Sequence, residues 1–326
     1  MTDYIPRLRE ELVAAAAREQ AGVWHRPWVS PRRLVPVLAT AAVVAAVTAT
    51  VLLVELPRDE TPAQPAPAAA ALAYRVSPAA AAQASADILR ERIAAAGITG
   101  ATVTVDGDRI GVGPDSAEPE QVAALTVPGK LGIYDWEASV LGPDGRPAPA
   151  DDGVTGGAGV GVDGAVSRDE AARRAAKADS PGAHIVRAEG AATGRWYALD
   201  DSAAIGNADI ASARALRDPA TGEPIVTFDF DARGQSAFSA LTREIARRGA
   251  DGARPGENAL EAAQHFVFVL DNHIVSAPFI DFQQTPDGID GREGAQIQGD
   301  LSSERARQLA AILDTGPLPA TLEPTG

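Results

Sequence analysis

The sequence contains no cysteine, only two lysines and few aromatic residues. Without cysteine the chain can form no disulfide, no thiol nucleophile and no cysteine-based zinc site. Lys130 and Lys177 are the two lysines, so arginine carries nearly all of the positive charge. Aromatic residues make up 5% of the chain and hydrophobic residues 45%, so alanine and small aliphatic side chains must do much of the packing. The length of 326 residues suggests about two domains.

The net charge of −15 is distributed unevenly along the chain. Residues 1–33 contain six arginines and four acidic residues, a net of +2, so the remainder carries −17. A strongly acidic body is repelled by the phosphates of nucleic acids, so we expect no nucleic-acid partner. The same charge is compatible with a domain that stands clear of an anionic membrane.

One long hydrophobic run, residues 34–54, contains no ionisable side chain. At a rise of about 1.5 Å per residue, such a helix spans roughly 30 Å, the thickness of a bilayer core. A buried helix of a globular domain is the alternative. The run therefore predicts a transmembrane helix that contacts the lipid bilayer.

The charges beside this run predict its orientation. Three arginines precede it and two acidic residues follow it: Arg26, Arg32, Arg33, Asp59 and Glu60. The positive-inside rule then puts residues 1–33 in the cytoplasm and the C-terminal bulk outside, in a single-pass protein of the cell membrane. A cleaved signal peptide is the alternative, but 33 residues before the run favour an uncleaved anchor. Residues 55–71, rich in proline and alanine, are expected to be a semi-rigid linker.

Residues 72–141 show the order β-α-β-β-α-β, which is typical of a ferredoxin-like α+β domain. The predicted helices are 85–96, with Ser85 as its N-cap, and 119–125. The predicted strands are 72–76, 101–105, 109–113 and 131–140.

Residues 142–166 are rich in glycine, proline and aspartate and predict a flexible linker. Within it, Gly159, Gly161 and Gly164 match the G-x-G-x-x-G spacing. No strand precedes them, so we expect no dinucleotide site.

The remaining residues, 167–326, alternate between helices and strands and predict an α+β head subdomain. Ser167 and Ser302 are expected to cap helices over 168–178 and 302–313, and a further amphipathic helix covers 234–248. The predicted strands are 184–189, 195–200, 224–231, 265–271, 271–278, 294–299 and, at the end, 316–323.

Residues that could carry chemistry are scattered. The four histidines (His25, His184, His265 and His273) include two that flank one hairpin, but no third ligand has metal spacing, so we expect them at the surface or at an edge. Asp229 and Asp231 share a strand face, where a cap or an exposed charge is the expected role rather than acid–base catalysis. Ser236 has no neighbouring base. The sequence therefore predicts no enzyme, no cofactor and no metal site.

Several motifs together resemble the SecD preprotein-translocase family. They are GITGATVTVDGDRIGVG (97–113), YALDDSAAIGNADIASA (197–213), the stretch Phe228 to Phe238, FVLDNHIVSAPFI (268–280) and IQGDLSSERARQLAAILDTGPLPATLE (297–323). The resemblance covers roughly residues 72–323. It implies the family's first periplasmic (P1) domain, with a base at 72–141 and a head at 167–326, and leaves open a return of 316–323 to the base.

Two positions depart from the family pattern. Asn272 stands where the family has glycine, and asparagine tolerates the left-handed backbone of a turn. Pro317 stands in place of alanine. The turn chemistry and the resemblance together give these hairpin and hinge candidates: Asp271, Asn272, Ser276, Pro278, Gly299, Gly316 and Pro317. Because the run 34–54 lacks the ionisable groups that a proton relay needs, we expect that the chain does not drive transport itself.

Two functions fit these observations. The first is a membrane-anchored, non-enzymatic accessory of protein export or envelope assembly that binds secreted polypeptides or Sec translocase components. The glycine-rich linker between base and head (142–166) would allow hinge motion in this role. The second is an envelope sensory or binding module that borrowed the P1 fold and signals through a short cytoplasmic helix at residues 5–20.

Overall fold

The computed structural model describes residues 72–113, 119–148, 165–188, 195–254, 262–299 and 301–325. The predicted transmembrane run (34–54), the linker 55–71 and the three glycines of the G-x-G-x-x-G pattern lie outside the described residues. None of the helices in the described ranges combines the length and the hydrophobicity that a membrane span requires. The described residues form an α+β structure, as the sequence predicts, and their strands are arranged in three sheets.

The first sheet has four strands in an entirely antiparallel arrangement. The strands are β1 (Leu72–Ser77), β2 (Val103–Asp106), β3 (Arg109–Val112) and β14 (Thr321–Pro324). Their order in the sheet is β14-β1-β3-β2. Helix α1 (Ala82–Ala95) covers one face of this sheet, and α6 (Ser303–Thr315) lies beside α1.

The second sheet has seven strands and divides the molecule's hydrophobic interior. Its central strand, Gln264–Leu270, is apolar on both faces. Phe266 and Phe268 face the larger core, whereas Val267 and Val269 face a smaller one. The strands are β4 (Leu131–Asp135), β5 (His184–Ala188), β6 (Trp196–Leu199), β7 (Ile205–Gly206), β10 (Gln264–Leu270), β11 (His273–Ser276) and β12 (Phe279–Ile280), in the order β6-β5-β11-β10-β4-β7 with β12 also on β10.

The third sheet supplies aromatic side chains to the larger core. It consists of β8 (Ile210–Arg217), β9 (Pro224–Phe230) and β13 (Ala295–Ile297) in the order β13-β9-β8. Helix α5 (Ala232–Gly252) begins where the carboxylate of Asp231 accepts the Gly234 N–H. Its buried Phe238 packs edge-on against Phe266, with ring centroids 5.5 Å apart. The remaining helices are α2 (Pro119–Ala123), α3 (Trp136–Ser139) and α4 (Arg168–Lys177), with 3-10 turns at Ala79–Ala81, Asn207–Asp209 and Gly291–Glu293.

The predicted fourth strand of the base, 131–140, is wrong in its extent and its neighbours. The strand ends at Asp135, whose side chain caps α3, and it pairs with β10 and β7 in the second sheet. Residues 131–134 are all buried. A strand that buries both faces needs cover on both sides, which the edge of the four-stranded sheet does not provide. That edge is occupied by β14, and the helix beside α1 is α6 rather than the predicted 119–125.

The predicted start of the first helix also differs. Helix α1 begins at Ala82, directly after the 3-10 turn at Ala79–Ala81, so Ser85 lies inside it and is not a cap. Ala82, Ala86, Leu89 and Ile93 recur at helical spacing and form its buried face.

Residues 142–166 are predicted to link base and head, but the described residues at the two ends of this segment attach to the same strand. Before the segment, the Leu141 N–H donates to the Ala198 carbonyl (2.8 Å), and at its end the Val166 N–H donates to the Trp196 carbonyl (2.9 Å). Both flanks therefore attach to β6. The chain instead passes between the four-stranded sheet and the rest of the structure in the stretch that leads from β3 to β4 and in the stretch that leads from β13 to α6.

Replacing Phe238 with alanine tests the aromatic core. We expect Phe238→Ala to lower the free energy of unfolding by about 3–5 kcal/mol, because it removes a fully buried ring from contact with other rings. Leu216, 43% exposed on β8, is the control, and Leu216→Ala should change the value by less than about 0.5 kcal/mol. Urea denaturation measures both, and equal effects would contradict this assignment of the core.

Candidate functional site

The turn between β10 and β11 consists of Asp271 and Asn272, which have φ angles of 49° and 66°. Two consecutive residues with positive φ make a tight hairpin turn that matches the twist of the strands. Aspartate and asparagine are among the few non-glycine residues that adopt this conformation readily. The structure thus places both predicted residues at the tip of the central hairpin.

The carboxylate of Asp271 holds residues 124–130, which we call the crossing loop. Its two oxygens accept the N–H groups of Gly129 (2.8 Å) and Lys130 (2.9 Å). The Asp271 N–H donates in turn to the Lys130 carbonyl (3.0 Å). The hairpin tip is therefore bonded to the segment that leads from α2 into β4.

Asn207 provides a second contact on the same side of the crossing loop. Its Oδ1 accepts the Leu131 N–H (2.9 Å), and its Nδ2 donates to the Gly129 carbonyl (2.8 Å). Sequence reasoning missed this residue, because an asparagine at the start of a short 3-10 turn gives no signal of a partner 76 positions away.

Arg92, from α1, holds the crossing loop from the other side. Its guanidinium is fully buried and donates to the carbonyls of Leu125 (2.7 Å), Val127 (2.6 Å) and Pro128 (3.1 Å). It also donates to the Gly316 carbonyl (2.7 Å) and the Thr315 hydroxyl (3.2 Å) at the end of α6. Burial lowers the pKa of Arg92 to about 10, an effect that the negative charge of Asp271 opposes, so the side chain stays protonated at neutral pH.

The crossing loop fits around Arg92 because residue 129 is a glycine. Its φ is 80°, in the left-handed region, and an added Cβ would collide with the Arg92 guanidinium and approach Ile312 Cγ2 to 2.9 Å. Any larger residue here would displace the loop from its bonding groups.

Four of the seven predicted hairpin and hinge residues lie in or beside this arrangement. Gly316 ends α6 with a φ of 74°, and directly after Pro317 the Leu318 N–H donates to the Pro128 carbonyl (2.7 Å). Asp271 and Asn272 lie at the hairpin tip.

The other three residues lie elsewhere. Ser276 pairs with Phe268 at the far end of the hairpin, and the Pro278 carbonyl accepts the Phe266 N–H (3.1 Å). Gly299, with a φ of 132°, lies two residues after the end of β13. Hinge roles for all seven residues stay predictions.

His265 is not at the surface, so the expectation of solvent-exposed or edge histidines is wrong for this residue. It is fully buried, with Nδ1 2.9 Å from Glu137 Oε1, while its backbone N–H donates to Glu137 Oε2 (2.9 Å). The pair joins β10 to α3. The two residues are 128 positions apart, which is why their pairing is invisible in the sequence.

The remaining candidates for chemistry have structural contacts. Asp231 caps α5, Asp229 accepts the Ser212 hydroxyl (3.0 Å), and the Ser236 hydroxyl donates to the Ala232 carbonyl (3.1 Å). Within the described ranges, no three histidine, aspartate or glutamate residues come close enough to hold a metal ion. The side chains of this region are thus arranged to hold chain segments together.

Replacing Arg92 tests the junction at the crossing loop. We expect Arg92→Met to lower the free energy of unfolding by at least about 3 kcal/mol, because several buried carbonyls lose their donor at once. Arg90, partly exposed two residues earlier on α1, is the matched control, and Arg90→Met should cost about 1 kcal/mol or less. If chemical denaturation gives the two variants similar stabilities, Arg92 does not have this role.

Replacing Asp271 tests the hairpin tip. Asp271→Ala loses two charge-assisted hydrogen bonds and puts alanine in a left-handed conformation, so we expect a loss of about 2–4 kcal/mol. Asp271→Asn, which keeps one acceptor oxygen, should lose less. Thermal denaturation measures the stability of these variants. Asp287→Ala is the control, since it removes the same charge from an exposed position and should leave the melting temperature almost unchanged. A wild-type melting temperature for Asp271→Ala would refute the contact.

Comparison with known proteins identifies the region that contains this hairpin. Residues 183–320 match the family described as SecDF, P1 head subdomain. The protein translocase subunit SecD of Acetobacter pasteurianus is 33% identical over 142 residues, which is 44% of this chain and 23% of that protein. The SecD of Elusimicrobium minutum is 30% identical over 130 residues, or 40% of this chain and 23% of the relative. The aligned part is therefore about a quarter of the length of these curated relatives.

Two solved structures show a weak overall similarity. The crystal structure of SecDF in a super-membrane-facing form has a TM-score of 0.47 and 19% identity, covering 78% of this chain and 29% of that one. A second structure, of a membrane component SecDF that enhances protein export, has a TM-score of 0.46 and 18% identity, covering 78% and 97%. Residues 183–320 therefore match a SecDF P1 head subdomain, and part of this chain is similar to SecD.

Proposed function

We propose that this chain is a membrane-anchored, non-enzymatic accessory of protein export whose SecD-type domain binds secreted polypeptides or Sec components. The observation that carries the proposal is the match of residues 183–320 to the P1 head, in a chain whose relatives are translocase subunits. Because the aligned part covers 23% of the SecD relatives, binding is proposed and the whole translocase activity is not.

The membrane anchor in this proposal is residues 34–54. This run contains no ionisable residue, which supports a membrane span. The arginines that precede it support an orientation with the N-terminus in the cytoplasm and the described domain outside. The linker 55–71 would hold the domain away from the lipid headgroups.

We further propose that the four-stranded sheet is a ferredoxin-like base, built from both ends of the described chain. The order β14-β1-β3-β2 with all neighbours antiparallel, and the helices α1 and α6, support this arrangement. The base would then comprise residues 72–113 and 303–325, with the head inserted between them. Tyr74 pairs with Pro324, so the linker would enter beside the end of the described chain.

Site-specific photocrosslinking tests the binding role. An open polar groove of about 520 Å³ lies between α5 and residues 287–292, and the exposed Ala240 lies on its wall. A photoreactive residue at Ala240 should capture secreted precursors or Sec subunits, identified by mass spectrometry. The same residue at Ala84, exposed on α1, is the control on the base and should capture fewer precursors.

Two outcomes would contradict the export role. One is capture of neither class of protein together with unchanged export after deletion of the gene. The other concerns a chain without residues 1–25. If this truncation reproduces the growth or envelope defect of the gene deletion while export is unaffected, the sensory alternative is favoured.

A further inference from the structure

Two arginines beside the second sheet lack an acidic partner, although most of the chain is strongly acidic. Arg168 begins α4 and Arg187 lies in β5, and neither side chain forms an ion pair within the described ranges. By contrast, Arg173 and Arg174 of the same helix both pair with Glu170. The residues after position 33 carry a net charge of −17, so two cations without a counter-charge are unusual in this part of the chain.

Trp196 brings the two arginines to one face of the sheet. It lies directly opposite Arg187 in the pairing of β5 with β6, and the Arg168 guanidinium carbon lies 5.7 Å from the centroid of its ring. Val186 and Tyr197, their neighbours in sequence, face the smaller core. Because side chains alternate along a strand, Arg187 and Trp196 point to the opposite face. Two like charges on one face repel each other, and an oxyanion bound by both would remove that repulsion.

An open groove lies next to this pair of arginines, between α4 and the start of β5. Its volume is about 520 Å³. Ile185, one of its lining residues, precedes Arg187 by two positions, so it points to the same face and lies roughly 7 Å away along the strand. Most of the lining is small and apolar: Ala172, Ala175, Ala176, Pro181, Ala183 and Ile185.

The combination of charge and apolar groove favours an extended polypeptide as the occupant. In an extended chain, side chains on one face are also roughly 7 Å apart, so a carboxylate at Arg187 would put another side chain of the ligand at Ile185. An open groove would leave much of a lipid acyl chain in water. An extended polypeptide needs cover only for its apolar side chains.

We propose that Arg168 and Arg187 bind a carboxylate of an extended polypeptide whose next side chain on that face, small and apolar, occupies the groove beside α4. The ligand is thus a segment in which acidic and small apolar residues alternate. The guanidinium groups donate to the carboxylate, and the ring of Trp196 orients Arg168 through a cation–π contact. The inference rests on the proposed function for the origin of this polypeptide, a secreted precursor, and the site is separate from the groove at Ala240.

Fluorescence anisotropy with labelled synthetic peptides tests this site on the full chain in nanodiscs of zwitterionic lipid. A peptide of Asp-Ala repeats should bind at least about tenfold more tightly than a Lys-Ala peptide of the same length. Arg168→Gln combined with Arg187→Gln should weaken Asp-Ala binding at least about tenfold, because two charge-assisted donors are lost. Arg173→Gln removes the same charge from an exposed position on α4 and should change the affinity by less than about twofold.

The groove has its own variant. Ala172 is exposed on its wall, and Ala172→Leu would fill part of the space, so Asp-Ala binding should weaken at least about threefold. An unchanged affinity in this variant would refute the part that the groove has in the proposal.

Equal binding of the Asp-Ala and Lys-Ala peptides would overturn the proposal, as would Asp-Ala binding that the double substitution leaves unchanged. Circular dichroism checks that the variants are folded. If the double variant unfolds, Arg168→Gln alone, at an exposed position in the first turn of α4, should still weaken binding at least about threefold.

Two further outcomes separate this inference from its alternatives. Glycerol phosphate that binds through the two arginines when the peptide does not would identify a lipid headgroup as the occupant and overturn the proposal. Capture of precursors at Ala240 without any Asp-Ala binding would overturn this inference alone and leave the proposed function standing.

Discussion

The buried guanidinium of Arg92 is the interaction on which the arrangement of the sheets depends. Burying a charge is costly unless hydrogen bonds replace its lost hydration. Here five acceptors do so, and they come from the crossing loop and from the end of α6. The carbonyls at a helix C-terminus also carry partial negative charge, which favours a cation there. One side chain thus contacts both the segment that leads away from the four-stranded sheet and the end of α6, after which the chain returns to that sheet in β14.

The local features of the fold could be predicted from the sequence. Ser167 and Ser302 cap α4 and α6 as expected, and Asp271–Asn272 forms the turn of the central hairpin. Each of these depends on residues within a few positions of one another, so side-chain chemistry is sufficient. Several motifs in the last 60 residues resemble SecD motifs and occur in the same order as in that family. The match of residues 183–320 to the SecDF P1 head subdomain agrees with this resemblance.

The long-range features could not be predicted. Leu131–Asp135 and Thr321–Pro324 both overlap stretches that the sequence predicts as strands, and only burial on both faces assigns the first to the central sheet. The contacts of Arg92 with Gly316 and of His265 with Glu137 join residues 224 and 128 positions apart. Helical spacing places Arg92, unlike Arg90, on the buried face with Leu89, but the sequence does not show which acceptors it meets there.

We expect the crossing loop to be held as firmly as the hydrophobic core. Native-state hydrogen exchange tests this expectation directly. The amides of Gly129, Lys130, Leu131 and Leu318 are the donors in the bonds that surround Arg92. They should exchange only through global unfolding, with the same free energy as the amide of Phe268 in the buried central strand. Exchange as fast as that of the exposed Asp287 amide would show that the loop opens on its own and would contradict the account.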